Sequence, residues 1–571
     1  MKRRDFFKQA AGALAVAIPD LACAVRRQRL DSLWPSYLDA DPATFPYDAE
    51  LFEAAERFVF LSQNEAVLNV IPKEGKNLDI RLCRLPSEHS ISGGSVQAYS
   101  GIKDSLDIPI LIPSLEPEYR YRLEYRESGT GSWRSTPHRR VKTPASYLQT
   151  GRLEAIFISD DHTFDDADQG VRIVHDPWVR KQRLSGEYVN FILKELSKNP
   201  NYYPAPDSDL RKTLGGFTMA STLLTILKYE HPDFIILGGD STGIGAPYQW
   251  PGFGLRSPAS GLSDEEYDDY AKLFWLRMRR IFSVLTPLIP IYLCQGNHDG
   301  ESGYDPAKNQ ARKYRKKYFK QPGFRQGGAL EENYFPLFWG AEKSGKGAPL
   351  FLVCDNESYN PASPRRPEDW TIGAGQKDWL KNALRYETDW KSVFFHHVLG
   401  GWPRGSTEEE VDYAYGRGPL YVAPDYESYS SDPDLIEQVE LTKIMRDGGV
   451  SVNFYGHDHI FHVREIPPPS GGSARKMYGV RLGSPKWFGE DHWYKGPLWQ
   501  KHYGSYGHYQ AEPRPFSLQT DFWGPSGYTK LILTRDGVRV DYVRSADNHP
   551  YTNIPPGIGV GATVASHILS F

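Results

Sequence analysis

Several things are scarce in this sequence, and each shortage excludes a class of protein. Only four cysteines occur in 571 residues, so a disulfide-dense scaffold is ruled out. Charge of either sign is not in surplus. Sixty-seven Lys and Arg face 71 Asp and Glu, for a formal net charge of -4 and a pI near 6.5. That balance offers no global attraction to nucleic acid or to an anionic membrane. No stretch reaches ~18 uninterrupted apolar residues, so no membrane span is expected. Internal repeats and low-complexity tracts are also lacking. What remains is an ordinary globular composition, 40% hydrophobic and 24% charged, with a generous 13% of aromatic residues. The length suggests more than one domain.

The first residues read MKRRDFFKQAAGALAVAIPDLACAV. A charged start, a modest apolar run and Ala22-Cys23-Ala24 suggest an export signal over residues 1–24. Pro19 and Asp20 interrupt the run, which is too short to cross a bilayer. Arg3-Arg4 followed by Phe6-Phe7-Lys8 resembles a twin-arginine signal, so export to the periplasm or cell surface is expected. Cys23 would leave with that signal. Cys83, Cys294 and Cys354 remain, and the last two each end an apolar run, as buried thiols do. A bridge between Cys294 and Cys354 stays open at this point.

Residues 25–50 read as a polar connector. From about Phe58 to Thr143, short alternating runs (RFVFLS, AVLNVI, LDIRLCRL, IPILIP, YRYRLEYR) are separated by turn clusters such as ISGG and SGTGS. That pattern predicts a small antiparallel sandwich, within a linker-plus-β unit over 25–147. SLEPEYRYRLEYRESGTGSWRSTPHRRVKTP resembles the last strands of a fibronectin type III-like domain. From Leu153 the rhythm changes to strand-like runs alternating with long helical patterns, which predicts a layered α/β domain over 148–546. The tail over 547–571 is rich in proline and glycine and is expected to be irregular.

Five apolar runs of the α/β part end in chemistry. LEAIFIS leads into Asp160-Asp161-His162, PDFIILGG into Asp240, and PIYLCQG into Asn297-His298-Asp299. KSVFF leads into His396-His397, and GVSVNFYG into His457-Asp458-His459. In an open α/β sheet, ligands gather at the carboxyl ends of strands. Imidazoles and carboxylates collected there point to metal binding. Each piece alone is weak, because Asp-x-His or paired histidines arise often by chance. Five of them, each after an apolar strand, make a specific signal.

This order of D-x-H, GGD, GNHD, a strand-end histidine and GHDH resembles the calcineurin-like metallophosphoesterases over roughly residues 150–490. The resemblance implies a two-sheet α/β sandwich flanked by helices. It also implies hydrolysis of phosphate mono- or diesters with two metal ions, of manganese, zinc, iron or calcium type. By resemblance, Asp160 and His162 bind the first metal together with His459. Asp240 bridges both ions, and Asn297, His396 and His457 complete the second. His298 faces the leaving-group oxygen as a catalytic group, and Asp299 holds the His298 ring. His397 is a supporting or substrate-facing group, and Asp161 is a spacer facing solvent. Two ions ~3.5–4 Å apart can clamp the attacking and departing oxygens of an in-line displacement, with a hydroxide between them as nucleophile. Export in the folded state suits a protein that must first acquire its metals.

Departures from narrower relatives are informative. A tyrosine follows the second motif in purple acid phosphatases, where this chain has Ser241-Thr242-Gly243. Signal, β unit and core together resemble the layout of alkaline phosphatase D-like enzymes, but Ser159 stands where those have a cysteine. Between the first two motifs lie Asp165, Asp166, Asp168 and His175, read as a solvated acidic loop rather than a third cation site. KNQARKYRKKYFK reads as the charged face of a helix. The aromatic-rich stretch over 487–528 reads as a packed rim, with stacking of a substrate as the alternative. The expected partner is a small phosphate ester, with no specific nucleic acid. Two other functions stay open: a surface-binding protein with a non-catalytic metal core, and a metal-dependent hydrolase of another ester.

Overall fold

The computed structural model describes residues 47–163, 219–242, 264–322, 333–357, 372–399, 414–415, 433–466, 475–485, 508–510, 521–545 and 559–571, with short interior gaps such as 458–460. The expected export signal, the acidic stretch after Thr163 and most of the aromatic stretch lie outside the described residues.

The alternating runs near the N-terminus are strands. β1 (Arg57–Phe60), β2 (Glu65–Val70) and β5 (Leu106–Leu111) form an antiparallel sheet in the order β1-β2-β5. β3 (Leu78–Arg84), β4 (Ser95–Ile102), β6 (Glu118–Glu127), β7 (Arg134–Ser135) and β8 (Arg139–Lys142) form a second. Edge-to-face pairs Phe52–Tyr125 and Phe58–Tyr121, with centroids 4.9 and 4.6 Å apart, fill the space between segments of the two.

Two larger mixed sheets follow. The first runs β11 (Ile291–Leu293), β10 (Phe234–Leu237), β9 (Arg152–Ile158), β22 (Gly527–Thr534), β23 (Gly537–Arg544), β24 (Thr563–Leu569). The second runs β12 (Phe335–Phe338), β13 (Pro349–Val353), β14 (Trp390–Phe395), β17 (Val452–Tyr455), β19 (Met477–Arg481), β18 (His462–Ile466). Parallel pairing joins β9, β10 and β11 in one sheet and β13, β14, β17 and β19 in the other. Continuous burial of FIIL, PLFLV and VNFY is what parallel central strands require. Phe157 of β9 reaches across to Phe394 and Phe454, at centroid distances of 4.9 and 4.6 Å, so the sheets face each other over an aromatic core. Two short pairs complete the strands: β15 (Val398–Leu399) with β16 (Ala414–Tyr415), and β20 (His508–Gln510) with β21 (Asp521–Trp523).

Among the described residues the continuous helices are α1 (Asp264–Phe282), α2 (Lys308–Tyr318), α3 (Gly373–Ala383) and α4 (Pro433–Asp447). α3 buries Gln376, Leu380 and Ala383, one stripe at helical spacing. None of the described helices is long and apolar enough to cross a membrane.

Two expectations need correction. The tail is not irregular throughout, because TVASHIL forms β24 at the edge of the first large sheet, antiparallel to β23. A short alternating run is hidden there by the proline and glycine before it. Nor is the basic run merely a charged face: Arg315 of α2 is fully buried and paired with Glu301, 2.5 Å away. The N-terminal sheets share their core with the larger ones. One apolar cluster runs from Phe58 and Leu68 through Phe157 and Phe454 to Leu569. Arg57, Arg279 and Ser283 stitch the parts together: the Arg279 guanidinium donates to Ala55 O (2.6 Å), and the Ala55 N–H donates to Ser283 Oγ (3.0 Å). Arg57 donates to Lys320 O (2.6 Å) and to Ile291 O.

Removing one partner of a fully buried ion pair strands the other charge, at a cost of about 3–5 kcal/mol. Glu301→Ala is therefore expected to lower unfolding free energy by about that amount in urea titrations. A loss below about 1 kcal/mol would show that the pair is solvated in solution.

Candidate metal centre

The ligand candidates sit where parallel strands end. β9 delivers Asp160 and His162, β10 Asp240, β11 Asn297 and His298, β14 His396, and β17 His457. The loops after β9 and β10 stay bonded beyond the sheet, with Asp160 N–H to Gly239 O and His162 N–H to Asp240 O, both 2.9 Å. Four non-glycine residues among those described have positive φ: Asp160 (56°), His162 (39°), Asp240 (55°) and His457 (72°). All four are candidate ligands. Such backbone costs about 1–3 kcal/mol per residue and persists where the surroundings force it.

Two glycines allow the loops to close. Gly239 has φ +101°, and a Cβ there would meet His396 Nδ1 at 2.5 Å. A Cβ on Gly296 would lie 2.1 Å from Asp240 N. Both distances are impossible for a real side chain, so the GGD and GNHD wording is dictated by close approach.

Asp240 is the hub. Its Oδ1 accepts the His298 N–H at 2.7 Å. Its Oδ2 has no hydrogen-bond partner among the described residues, yet three imidazole nitrogens surround it: His396 Nε2 at 3.1 Å, His162 Nε2 at 3.7 Å and His298 Nε2 at 3.9 Å. His396 shows what this arrangement needs. Its Nδ1 lies 2.8 Å from the Gly238 carbonyl oxygen, which can only accept, so Nδ1 carries the proton. Nε2 then faces Asn297 Oδ1 (2.9 Å) and Asp240 Oδ2 (3.1 Å), both acceptors. His457 Nδ1 stands 3.0 Å from the same Asn297 oxygen. Two acceptors facing Nε2 call for something positive there, either a proton or a metal cation. A cation there would be held by Asp240, Asn297, His396 and His457, a donor set of neutral imidazole, amide and carboxylate that suits a transition metal. A second grouping, of His162, Asp240 and His298, has its ligand atoms within 4.8 Å of one another, as does Asp160 with Asp240 and His396.

The electrostatics agree. Burial opposes ionisation of Asp240, but His396, His298 and His162 together hold it well below the usual carboxylate range. Burial likewise disfavours charge on His396, and Asp240 overrides it and raises that imidazole. Burial, with Asp240 adding repulsion, pushes Asp160 up to about 7 despite the opposing pull of His396. Burial holds His457 down to about 3, in the neutral form a metal ligand must have.

Two readings of the sequence are corrected here. Asp299 does not reach out to hold the His298 ring. Its Oδ1 accepts the backbone N–H of Ser241 and Thr242 (both 2.9 Å), and its Oδ2 those of Gly296 (2.8 Å) and Asp240 (3.1 Å). The carboxylate fastens the two loops that carry these candidate ligands to each other. Asp161 does not face solvent. It is buried beside Ser241, and burial drives its carboxyl well above the usual range. Cys294 and Cys354 are both free, with Cys294 Sγ donating to the Cys354 carbonyl oxygen at 3.2 Å. His459 lies outside the described residues.

A sixth strand end escaped the motif reading. β13 leads into Asp355, Asn356 and Glu357, all buried, and Glu357 Oε1 is in short contact with His397 Nδ1. Its signal was the same as the others, an apolar run followed by polar residues, but without a histidine.

Residues 155–461 match the calcineurin-like phosphoesterases. That is more than half of the 571 residues, and the chain belongs to this family. None of the curated proteins is a significant match to the chain.

If Asp299 is a fastener, Asp299→Ala strands four buried N–H donors, each worth about 1–3 kcal/mol. Chemical unfolding should show a loss of at least about 3 kcal/mol. An unchanged stability with a slower reaction would instead return Asp299 to the His298 ring.

Proposed function

We propose that the chain is an exported phosphoesterase with a dinuclear centre, hydrolysing phosphate mono- or diesters. The observation that carries this reading is the convergence of three imidazole nitrogens on the one unpartnered oxygen of Asp240, within 3.9 Å. Calcineurin-like phosphoesterases typically work with a pair of metal ions, and the surroundings of Asp240 suit a carboxylate shared by two cations.

In this reading Asp160, His162 and His459 would hold one ion, Asn297, His396 and His457 would hold the other, and Asp240 would serve both. When bound, the pair supplies Lewis acidity and an acidified water near neutral pH. The chain's own groups do the rest. Asn297 binds through its carbonyl and adds no negative charge to repel phosphate. The Gly238 carbonyl orients His396 so that Nε2 faces Asn297 and Asp240, where an ion would sit. His298 is not needed as a ligand. It supplies a hydrogen bond, or a proton, to the departing oxygen. Asp299 keeps Asp240 and His298 in one register through the backbone. Export rests on the twin-arginine wording at Arg3-Arg4, and a separate role for the N-terminal β unit rests on its strand pattern.

Purified protein supplied with manganese, zinc or iron should release nitrophenol from nitrophenyl phosphate mono- or diesters. Asp240→Asn is expected to reduce kcat by at least about a thousandfold. His298→Ala should cost about 10²–10⁴-fold with metal content unchanged. A wild-type protein that binds metal without turnover would favour the non-catalytic binding role. Activity that survives Asp240→Asn would remove the bridging assignment.

A further inference from the structure

The sixth strand end gives the metal centre a wall that its family motifs do not name. β13 lies beside β14, and this brings Glu357 against His397, the residue after the candidate ligand His396. Glu357 is itself tightly held. Its N–H donates to Asp355 Oδ1 at 2.8 Å. Asp355 Oδ2 accepts from Asn333 Nδ2 at 2.7 Å. Gln376 clamps the Asp355 backbone from both sides, accepting its N–H at 2.7 Å and donating to its carbonyl at 2.6 Å. Asn333 Oδ1 in turn accepts from Arg315, which Glu301 pins. A carboxylate sealed from water is thus fixed in place by a chain of buried bonds. Its second oxygen, Oε2, has no partner among the described residues.

The ring it touches borders the cation site. The His397 centroid lies 4.1 Å from that of His457 and 5.0 Å from that of His396. One nitrogen from each of the three rings falls within 4.8 Å of the other two. With His397 Nδ1 engaged by Glu357, a metal would be met by Nε2.

We propose that Glu357 and His397 extend the second cation site: Glu357 shares a proton with His397 Nδ1 and fixes the ring, so that Nε2 can serve as a third imidazole donor beside His396 and His457. The proposal rests on the metal reading of the preceding section. A cation that takes the Nε2 lone pair displaces any proton there to solvent, while the Nδ1 proton stays between ring and carboxylate. A carboxylate behind a ligating histidine both orients the ring and raises its basicity. Three imidazoles in one site also select the metal. They favour zinc, iron or cobalt over magnesium and calcium, whose preferred ligands are oxygens. Glu357 is then a positioning residue and His397 a determinant of metal choice. A histidine that merely filled the core would leave metal preference untouched.

The test uses the full chain as wild type, Glu357→Gln and His397→Gln. Zinc and magnesium affinities are measured by competition with a chromophoric chelator, and the cobalt-loaded forms by their visible absorption. Wild type should take up two zinc ions. Each folded variant should keep one tight site and bind the second zinc about 10–100-fold more weakly. Magnesium affinity should not change, and the cobalt bands of one site should shift. If His397→Gln does not fold, Glu357→Gln decides alone. Two zinc ions bound at wild-type affinity by Glu357→Gln, with an unaltered cobalt spectrum, would overturn this proposal and leave the metal centre standing. A wild type that binds no zinc would overturn both.

Discussion

Everything in this molecule turns on a carboxylate placed where water cannot answer it. Asp240 is almost wholly buried, at 1% exposure, in left-handed backbone at the end of β10. A buried carboxylate is tolerable only if positive charge or hydrogen-bond donors meet it. One of its oxygens is met by a backbone N–H; the other is ringed by imidazoles. Two facing sheets with aromatic packing between them supply the rigidity that holds such an arrangement. Strained φ angles at Asp160, His162, Asp240 and His457 are carried by that packing.

Asp299 shows how the loops are kept together. Its four backbone bonds tie the segment after β10 to the turn after β11, so Asp240 and Asn297 move as one unit. Gly239 and Gly296 make room for the approach. Behind these, the buried line from Glu301 through Arg315, Asn333 and Asp355 to Glu357 joins helix α2 to the far wall of the site. Polar networks of this kind are stable only when nearly every member is satisfied, so they constrain the geometry closely.

Much of this was legible in the amino-acid sequence. The five motif-bearing strand ends could be read because each follows an apolar run and carries residue types that chemistry demands. AGQKDWLKNAL and the strands of the N-terminal part could be read from periodicity alone. The misses have physical causes. Asp299 binds backbone N–H groups, which a sequence does not display, so its neighbour His298 drew the assignment. Glu357 follows a strand end as the ligands do, but its partner His397 lies forty residues on, as β13 and β14 are adjacent only in the sheet. Arg315 sits in a strongly basic run, and nothing local marks it as the residue that turns inward. β24 is too short to stand out from the proline and glycine that precede it.

The claim beneath all of this is that Asp240 is shared by two cations. Crystals of the metal-loaded protein, with anomalous scattering collected at the edge of the bound metal, address it directly. Two peaks about 3.5–4 Å apart, each within bonding distance of an Asp240 oxygen, are the expected result. A single peak, or a pair in which one ion does not touch Asp240, would contradict the account.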